Sequence, residues 1–191
     1  FEVESQFVLE KGILRYDIKA YDEHLPLVID PEVIFSTFSG STSDNWGFTA
    51  APDNNGFLYA GGIVFGTGYP FTTGAFDQSF NFGTCDVAIT KYDTSGTQLI
   101  DSSYLGGNGY DHPHSLIVNS SGNLYVMGTT GSGNFPTTST AFDRDFAGGP
   151  PVNVFGNISE GVDIFITAFN ASGSSLLGST YLGGSATDGL N

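Results

Sequence analysis

Over short stretches of this chain apolar and polar side chains alternate, and every window with apolar residues at the i, i+3, i+4, i+7 spacing of a helix face is better read as alternation. Asp163 to Asn170 (DIFITAFN) alternates, turns at Ala171-Ser172-Gly173, and returns through Ser175 to Leu182 (SLLGSTYL). His114 to Asn119 (HSLIVN) turns at Ser120-Ser121-Gly122 and returns through Asn123 to Thr129 (NLYVMGT). Both turns end in Ser-Gly, which suits a residue with positive φ in a short hairpin connection. Two hairpins make a four-stranded antiparallel unit. An earlier stretch repeats the scheme in Trp46 to Ala51, Phe57 to Phe65, Asp86 to Tyr92 and Gln98 to Tyr104.

The pattern recurs because the sequence itself recurs. Ser103-Tyr104-Leu105-Gly106-Gly107 returns as Thr180-Tyr181-Leu182-Gly183-Gly184, and Ser36-Thr37-Phe38-Ser39-Gly40 is a looser first copy. Four residues after the last glycine of each copy stands an aspartate, Asp44, Asp111 or Asp188. Gly56-Phe57-Leu58-Tyr59 matches Gly122-Asn123-Leu124-Tyr125, Ala75-Phe76-Asp77 matches Ala141-Phe142-Asp143, and Asp86-Val87-Ala88-Ile89-Thr90 matches Asp163-Ile164-Phe165-Ile166-Thr167. The aspartates lie 67 and then 77 residues apart, and the added length falls between Asp143 and Asp163, where 19 residues stand against 8 between Asp77 and Asp86. A repeat this long is too long for a helix pair and suits a four-stranded blade with generous loops. The fold class is therefore all-β, a β-propeller of four-stranded antiparallel blades, of which about two are present.

The expected organisation follows from the copies. Residues 32–191 carry the propeller repeats: a strand at Val33 to Phe38 that closes the last blade of the ring, a blade at about 44–105, a second at about 111–182, and the start of another at 183–191. Because propellers use about four to eight blades, the chain reads as a piece of a longer protein. Residues 1–31 do not fit the repeat. Phe1 to Leu9 and Ile13 to Ala20 read as two strands joined at Glu10-Lys11-Gly12, with Ile13, Tyr16 and Ile18 as packing side chains, followed by the stiff connector Leu25-Pro26-Leu27-Val28-Ile29-Asp30-Pro31. This segment is expected to be the end of an upstream β domain. The insertion at 145–160, with Val152, Val154 and Phe155 after a Gly-Gly-Pro-Pro run, is expected to pack on a neighbouring blade or a partner.

Leu27-Val28-Ile29-Asp30-Pro31, then Phe35-Ser36-Thr37-Phe38-Ser39-Gly40, then the Tyr-Leu-Gly-Gly, Ser-Gly-Asn-Leu-Tyr-Val, Phe-Pro-Thr-Thr and Asp-Ile-Phe-Ile-Thr phrases resemble the SBBP-type β-propeller repeat family over residues 25–191. Phe38-Ser39-Gly40 departs from its Tyr-Leu-Gly-Gly phrase. The resemblance implies a large bacterial protein of the Bacteroidetes kind, with an upstream β domain ending in Leu-Val-Ile-Asp-Pro, exported by the type IX secretion system to the cell surface or the medium. Contact with that secretion machinery during export is implied with it.

Charge narrows the partners. The net charge is −15, and after residue 30 there are 13 acidic side chains against Lys91 and Arg144. Nucleic acid and anionic lipid both call for a basic footprint that this chain lacks. No apolar run approaches the ~20 residues that span a bilayer.

Chemistry-bearing residues are few. Cys85 is the sole cysteine, so no disulfide forms within this chain, and a small buried side chain is its expected role. Asp44, Asp111 and Asp188, at equivalent places in successive copies, either ring a Ca²⁺ site or accept backbone N–H bonds that fix the turn between blades; recurrence in every copy favours the turn. His112 and His114, two apart on an extended chain, share a side and could bind Zn²⁺ with a third ligand from another blade, though a polar loop is the simpler expectation. No nucleophile elbow, Ser/His/Asp set or His-Glu-x-x-His helix is visible. The reading is a non-enzymatic secreted or cell-surface scaffold that binds a protein partner or a cell-surface glycan. Its alternative is a carbohydrate-binding or carbohydrate-cleaving propeller in which Trp46, Tyr69, Phe71, Tyr110 and Phe155 are exposed for sugar stacking.

Overall fold

The computed structural model describes residues 3–11, 13–28, 33–159 and 161–189, and among these every regular element is a strand. The chain divides into two compact units, Phe1–Val33 and Ile34–Asn191. The first contains the antiparallel hairpin β1 (Ser5–Glu10) and β2 (Ile13–Ile18), with Lys11 at φ 52° in its turn. An exposed Arg15–Glu10 ion pair of 2.9 Å closes it. Ile13, expected to pack, is exposed, because a two-stranded hairpin supplies no second layer of its own to bury it against. The Leu-Val-Ile-Asp-Pro phrase lies partly outside the described residues.

The second unit holds two sheets of four antiparallel strands. Blade 1 is β3 (Asn45–Pro52), β4 (Leu58–Val64), β5 (Asp86–Tyr92) and β6 (Leu99–Leu105), paired in that order. Blade 2 repeats the order with β7 (Asp111–Val118), β8 (Leu124–Thr130), β11 (Asp163–Phe169) and β12 (Leu176–Leu182). The insertion supplies a small hairpin of its own, β9 (Val152–Val154) with β10 (Asn157–Ser159). Glycines at the expected turns take positive φ: Gly96 67°, Gly122 80° and Gly173 69°.

The blades pack face to face. Tyr59, Val87, Ile89 and Leu105 of blade 1 are buried in one cluster with Leu116, Leu124, Val126, Phe165, Phe169 and Tyr181 of blade 2. Strand parity and repeat register make the arrangement directional. The blade 1 residues Ala51, Tyr59, Phe76, Ile89 and Leu105 sit in or against this cluster, and their blade 2 equivalents Ile117, Tyr125, Phe142, Ile166 and Leu182 are exposed. The two uncovered faces of the pair are thus the two halves of the interface seen between the blades.

Each outer edge is covered by the long loop of its own blade. Thr72 N–H donates to Ser102 O and Tyr104 N–H to Asp77 O, and Thr138 to Ser179 and Tyr181 to Asp143 repeat the pattern. These bonds occupy part of the row of backbone groups that an outer strand would otherwise present to another sheet.

Two expectations need correction. Val33 to Phe38 forms no strand, since no neighbouring strand among the described residues is available to pair with it. Strand β7 begins at Asp111 rather than His114, because a register shift between Pro113 and Ser115 lets the strand pass the proline, which has no N–H to give to the ladder.

Candidate functional site

The most concentrated chemistry lies where the chain crosses from one blade to the next. Thr84 N–H donates to Gly109 O at 2.7 Å and Asp111 N–H to Cys85 O at 2.9 Å, and a parallel bridge joins Cys85 to Tyr110. The second crossover repeats the bond, with Asp188 N–H donating to Val162 O at 2.7 Å. The carboxylate of Asp111 is fully buried. Its Oδ2 accepts from Gly107 N–H and from Ser132 Oγ, both at 2.8 Å, and its Oδ1 accepts from Thr130 Oγ1 at 2.5 Å. Asp188 Oδ2 accepts from Gly184 N–H at 2.9 Å. These bonds give two of the three repeated aspartates the turn-fixing role. For Asp44 the contact to blade 1 is made by the backbone, its carbonyl accepting from Phe65 N–H at 3.1 Å.

A second pair of acids, Asp86 and Asp163, opens the third strand of each blade and is also fully buried. Asp163 is satisfied by a nest of two amides, with Ala147 N–H on Oδ2 at 2.8 Å and Gly148 N–H on Oδ1 at 3.1 Å. Asp86 receives Asn81 N–H on Oδ2 at 2.6 Å, but its Oδ1 is buried without a hydrogen-bond partner. That oxygen and Asp111 Oδ2 flank Gly106: a Cβ built there would lie 2.6 Å from one and 2.7 Å from the other. Burial first, and the Asp111 charge further down, push Asp86 up to about 8, and burial pushes Asp111 up to about 6 against the pull of its three donors.

The histidines meet, yet gain no third ligand. The His112 and His114 rings lie 4.7 Å apart, with His112 stacked on Tyr110 at 5.8 Å and edge-on to Phe48 at 4.0 Å. His112 is buried with Nδ1 unpartnered, and burial, helped by His114, lowers it to about 4. Burial lowers His114 too. Among the described residues no group of three or more His, Cys, Asp or Glu side chains could hold a metal ion, so Asp44, Asp111, Asp188, His112 and His114 are not brought together as a Ca²⁺ or Zn²⁺ site. Cys85 is buried, and burial raises its thiol to about 12, which removes it as a nucleophile at neutral pH.

The aromatic residues expected on the surface divide. Tyr69 and Tyr110 are buried, corrections that follow from the clusters they help to build with Tyr104 and with Ile63, Cys85 and Val154. Trp46 and Phe155 are half-exposed and pack against each other at 5.1 Å, with Phe65 completing the group. Phe155 therefore seats the insertion on blade 1, as does buried Val154. Phe71 is exposed as expected, and Phe82 and Phe142 are more so. Phe82 is unusual twice over, being 76% exposed and at φ 74°. Its equivalent in blade 2, counted forward from Asp143 as Phe82 is from Asp77, is Gly148 at φ 64°.

Residues 102–136 match the family model of SBBP, described as a beta-propeller repeat. The matched segment runs from β6 across the crossover and through β8, so it contains Gly107, Asp111, Thr130 and Ser132, and it supports a repeat of the SBBP type. No curated protein matches the chain.

Proposed function

We propose that this chain belongs to a non-enzymatic, exported scaffold whose blades display variable loops for recognition of a protein partner or a cell-surface glycan. One observation carries the reading: the acids that recur between the blades fix the crossovers and the strand starts, and the exposed loops differ from blade to blade. Asp111 and Asp188 serve equivalent turns, as Asp86 and Asp163 serve equivalent strand starts. Against that constant frame, blade 2 carries the 145–160 insertion with exposed Ile158, and blade 1 carries exposed Phe82 where blade 2 has glycine. A recognition face needs such variation on a rigid base. The strongly acidic surface favours partners that are neutral or basic.

Export to the cell surface or medium by the type IX route, and an origin in the Bacteroidetes, are part of the same proposal and rest on the phrases at residues 25–40 and the repeats that follow. The test is a glycan array run beside a cross-linking screen on intact cells. Saturable binding to a surface protein or glycan without turnover supports the reading. Cleavage of a bound polysaccharide would overturn it and put the carbohydrate-cleaving alternative in its place.

A further inference from the structure

We propose that Asn55 is a site of spontaneous modification, converted in the folded protein to isoaspartate and aspartate, and that the crossover holds Asn108, in the same dipeptide, unreactive. Asparagine precedes glycine twice, at Asn55-Gly56 and Asn108-Gly109. In such a pair the glycine nitrogen attacks the asparagine Cγ and gives up its proton as the N–Cγ bond forms. The side-chain nitrogen leaves as ammonia, and a five-membered succinimide remains. Water then adds to one of its two carbonyls and breaks that carbon's bond to nitrogen. Opening at Cγ gives aspartate, and opening at the backbone carbonyl gives isoaspartate, whose chain runs on through the side chain. Nothing is oxidised or reduced, and water is the sole co-reactant. Glycine favours the attack because it has no Cβ to crowd the turning backbone. The attack also requires that the glycine N–H leave its hydrogen bond and that the backbone swing toward the side chain, so the fold decides which pair reacts.

Exposure does not separate the two, since both asparagines are exposed. The backbone does. Gly109 N–H donates to Ser132 Oγ at 2.8 Å, its carbonyl accepts from Thr84 N–H at 2.7 Å, and Asn108 N–H donates to Asn134 Oδ1 at 2.8 Å. A Cβ built on Gly109 would run into the Gly131 carbonyl and the Ser132 nitrogen, so this backbone has no room to swing. To react, Asn108 must wait for the crossover itself to open. Asn55-Gly56 sits instead at the tip of the turn between β3 and β4. Gly56 N–H donates to Asp53 O at 3.1 Å within the same turn, and a Cβ on Gly56 would meet Thr94 Cγ2 alone, at 3.4 Å. Loss of that bond at an exposed tip is a local opening of the low-energy kind. Three sibling turns show that the geometry does not demand asparagine. Gly96, Gly122 and Gly173 donate to the carbonyls of Asp93, Asn119 and Asn170 in the same way, at positive φ like Gly56 at 83°. The residue before each is a serine, Ser95, Ser121 or Ser172, which cannot close the ring.

Conversion places a new carboxylate beside Asp53, whose Oδ1 accepts from Asn55 N–H at 2.8 Å and from Phe57 N–H at 3.0 Å. Isoaspartate also lengthens the turn by one backbone carbon, just before Phe57, which packs against the cluster between the blades. The modification therefore loosens blade 1 as the protein ages. The experiment ages the full polypeptide, purified as its host makes it, at mildly alkaline pH, both folded and in denaturant. Mass spectrometry follows the peptides that contain Asn55 and Asn108, and labelling by a protein-isoaspartate methyltransferase identifies the rearranged chain. In the folded protein the Asn55 peptide should exchange the mass of NH2 for that of OH and accept the label, with Asn108 slower by roughly 10-fold or more. In denaturant the two should react at comparable rates. Asn55→Ser, which installs the residue of the sibling turns, should abolish the change at that turn and leave the melting temperature of fresh protein unaltered. Equal rates at Asn55 and Asn108 in the folded protein, or an Asn55 that reacts in denaturant and stays intact when folded, would each overturn the proposal.

Discussion

Replacing Asp111 with alanine isolates what the crossover carboxylate does. Three donors converge on it, but they are not equally stranded by its loss. Ser132 Oγ also accepts from Gly109 N–H at 2.8 Å and Thr130 Oγ1 from Ser132 N–H at 3.0 Å, so both hydroxyls keep a partner after their protons turn away. Gly107 N–H, fixed by the backbone, has no such freedom. An unmet buried donor costs about 1–3 kcal/mol, and in a domain of this size each kcal/mol moves the melting temperature by roughly 2–4 °C. The expected loss for Asp111→Ala is thus on the order of 2–12 °C, read by circular dichroism at about pH 6. Asp111→Asn should recover most of it, because an amide oxygen can still accept from Gly107 while Thr130 turns to accept from the amide nitrogen. Chelator should shift the wild type by less than the alanine substitution does, since a bound cation would stabilise the native state by mass action. A melting temperature unchanged in Asp111→Ala, or a larger shift from chelator than from the mutation, would refute the turn-fixing account and return Asp111 to the metal reading.

The raised Asp86 and Asp111 set the direction of the pH response. Each binds its proton more tightly folded than unfolded, so their contribution to stability is fully present below about pH 4 and falls as pH rises, through about 6 for Asp111 and about 8 for Asp86. Wild type should be less stable at about pH 9 than at about pH 5, and Asp86→Asn should flatten that slope; an unchanged slope in the variant would count against the buried pair as its source. Two glycines on the same blade give opposite outcomes in thermal melts. Gly128→Ala drives a Cβ into the His112 carbonyl and the Phe165 ring and should lose several kcal/mol, whereas Gly178→Ala meets nothing within 4 Å and should be neutral or better. Phe82→Gly relieves a left-handed non-glycine residue and should gain about 1 kcal/mol while weakening recognition, so a loss of stability would show that the exposed ring serves the fold. Deleting residues 147–161 strips Val154 and Phe155 from the blade 1 surface and takes from Asp163 both of its amide donors, and the melting temperature should fall by several degrees or more.

The strands were legible because blade faces write a period of two into the sequence, and because the Ser-Gly turns fix where each hairpin reverses. Asp86 to Tyr92 agrees with β5 at both ends, and the other predicted blade strands overlap their observed counterparts. The site was less legible for a physical reason. The glycine-aspartate spacing announced Asp111 and Asp188, which serve local turns four residues long. Asp86 belongs to a contact across blades, and local spacing cannot say that its Oδ1 ends beside Gly106 of the next crossover. The signal that could have found it was present: an aspartate opens the same apolar strand in both copies, and an acid at the mouth of a buried strand needs donors. Tyr69 and Tyr110 went the other way, expected on loops and found in clusters, because a loop that runs back along its own blade acquires an inside and an outside that sequence position does not reveal.

The insertion shows how a repeat can change without losing its frame. Both copies must supply backbone donors to the acid that opens the third strand, and both do so from a segment with positive φ at the equivalent residue, Phe82 or Gly148. In blade 2 glycine permits a two-amide nest, so Asp163 is satisfied and the loop beyond it is free to lengthen into β9 and β10. In blade 1 the short loop delivers one backbone amide, that of Asn81, with the Asn81 side-chain amide on the same Oδ2 at 3.4 Å, leaves Asp86 Oδ1 bare, and holds a phenylalanine in a conformation that favours glycine. The same structural requirement is thus met fully in one blade and partly in the other. The blade that meets it partly is the one that places an exposed aromatic ring at this position, the pattern expected where selection for a surface contact has overridden selection for stability.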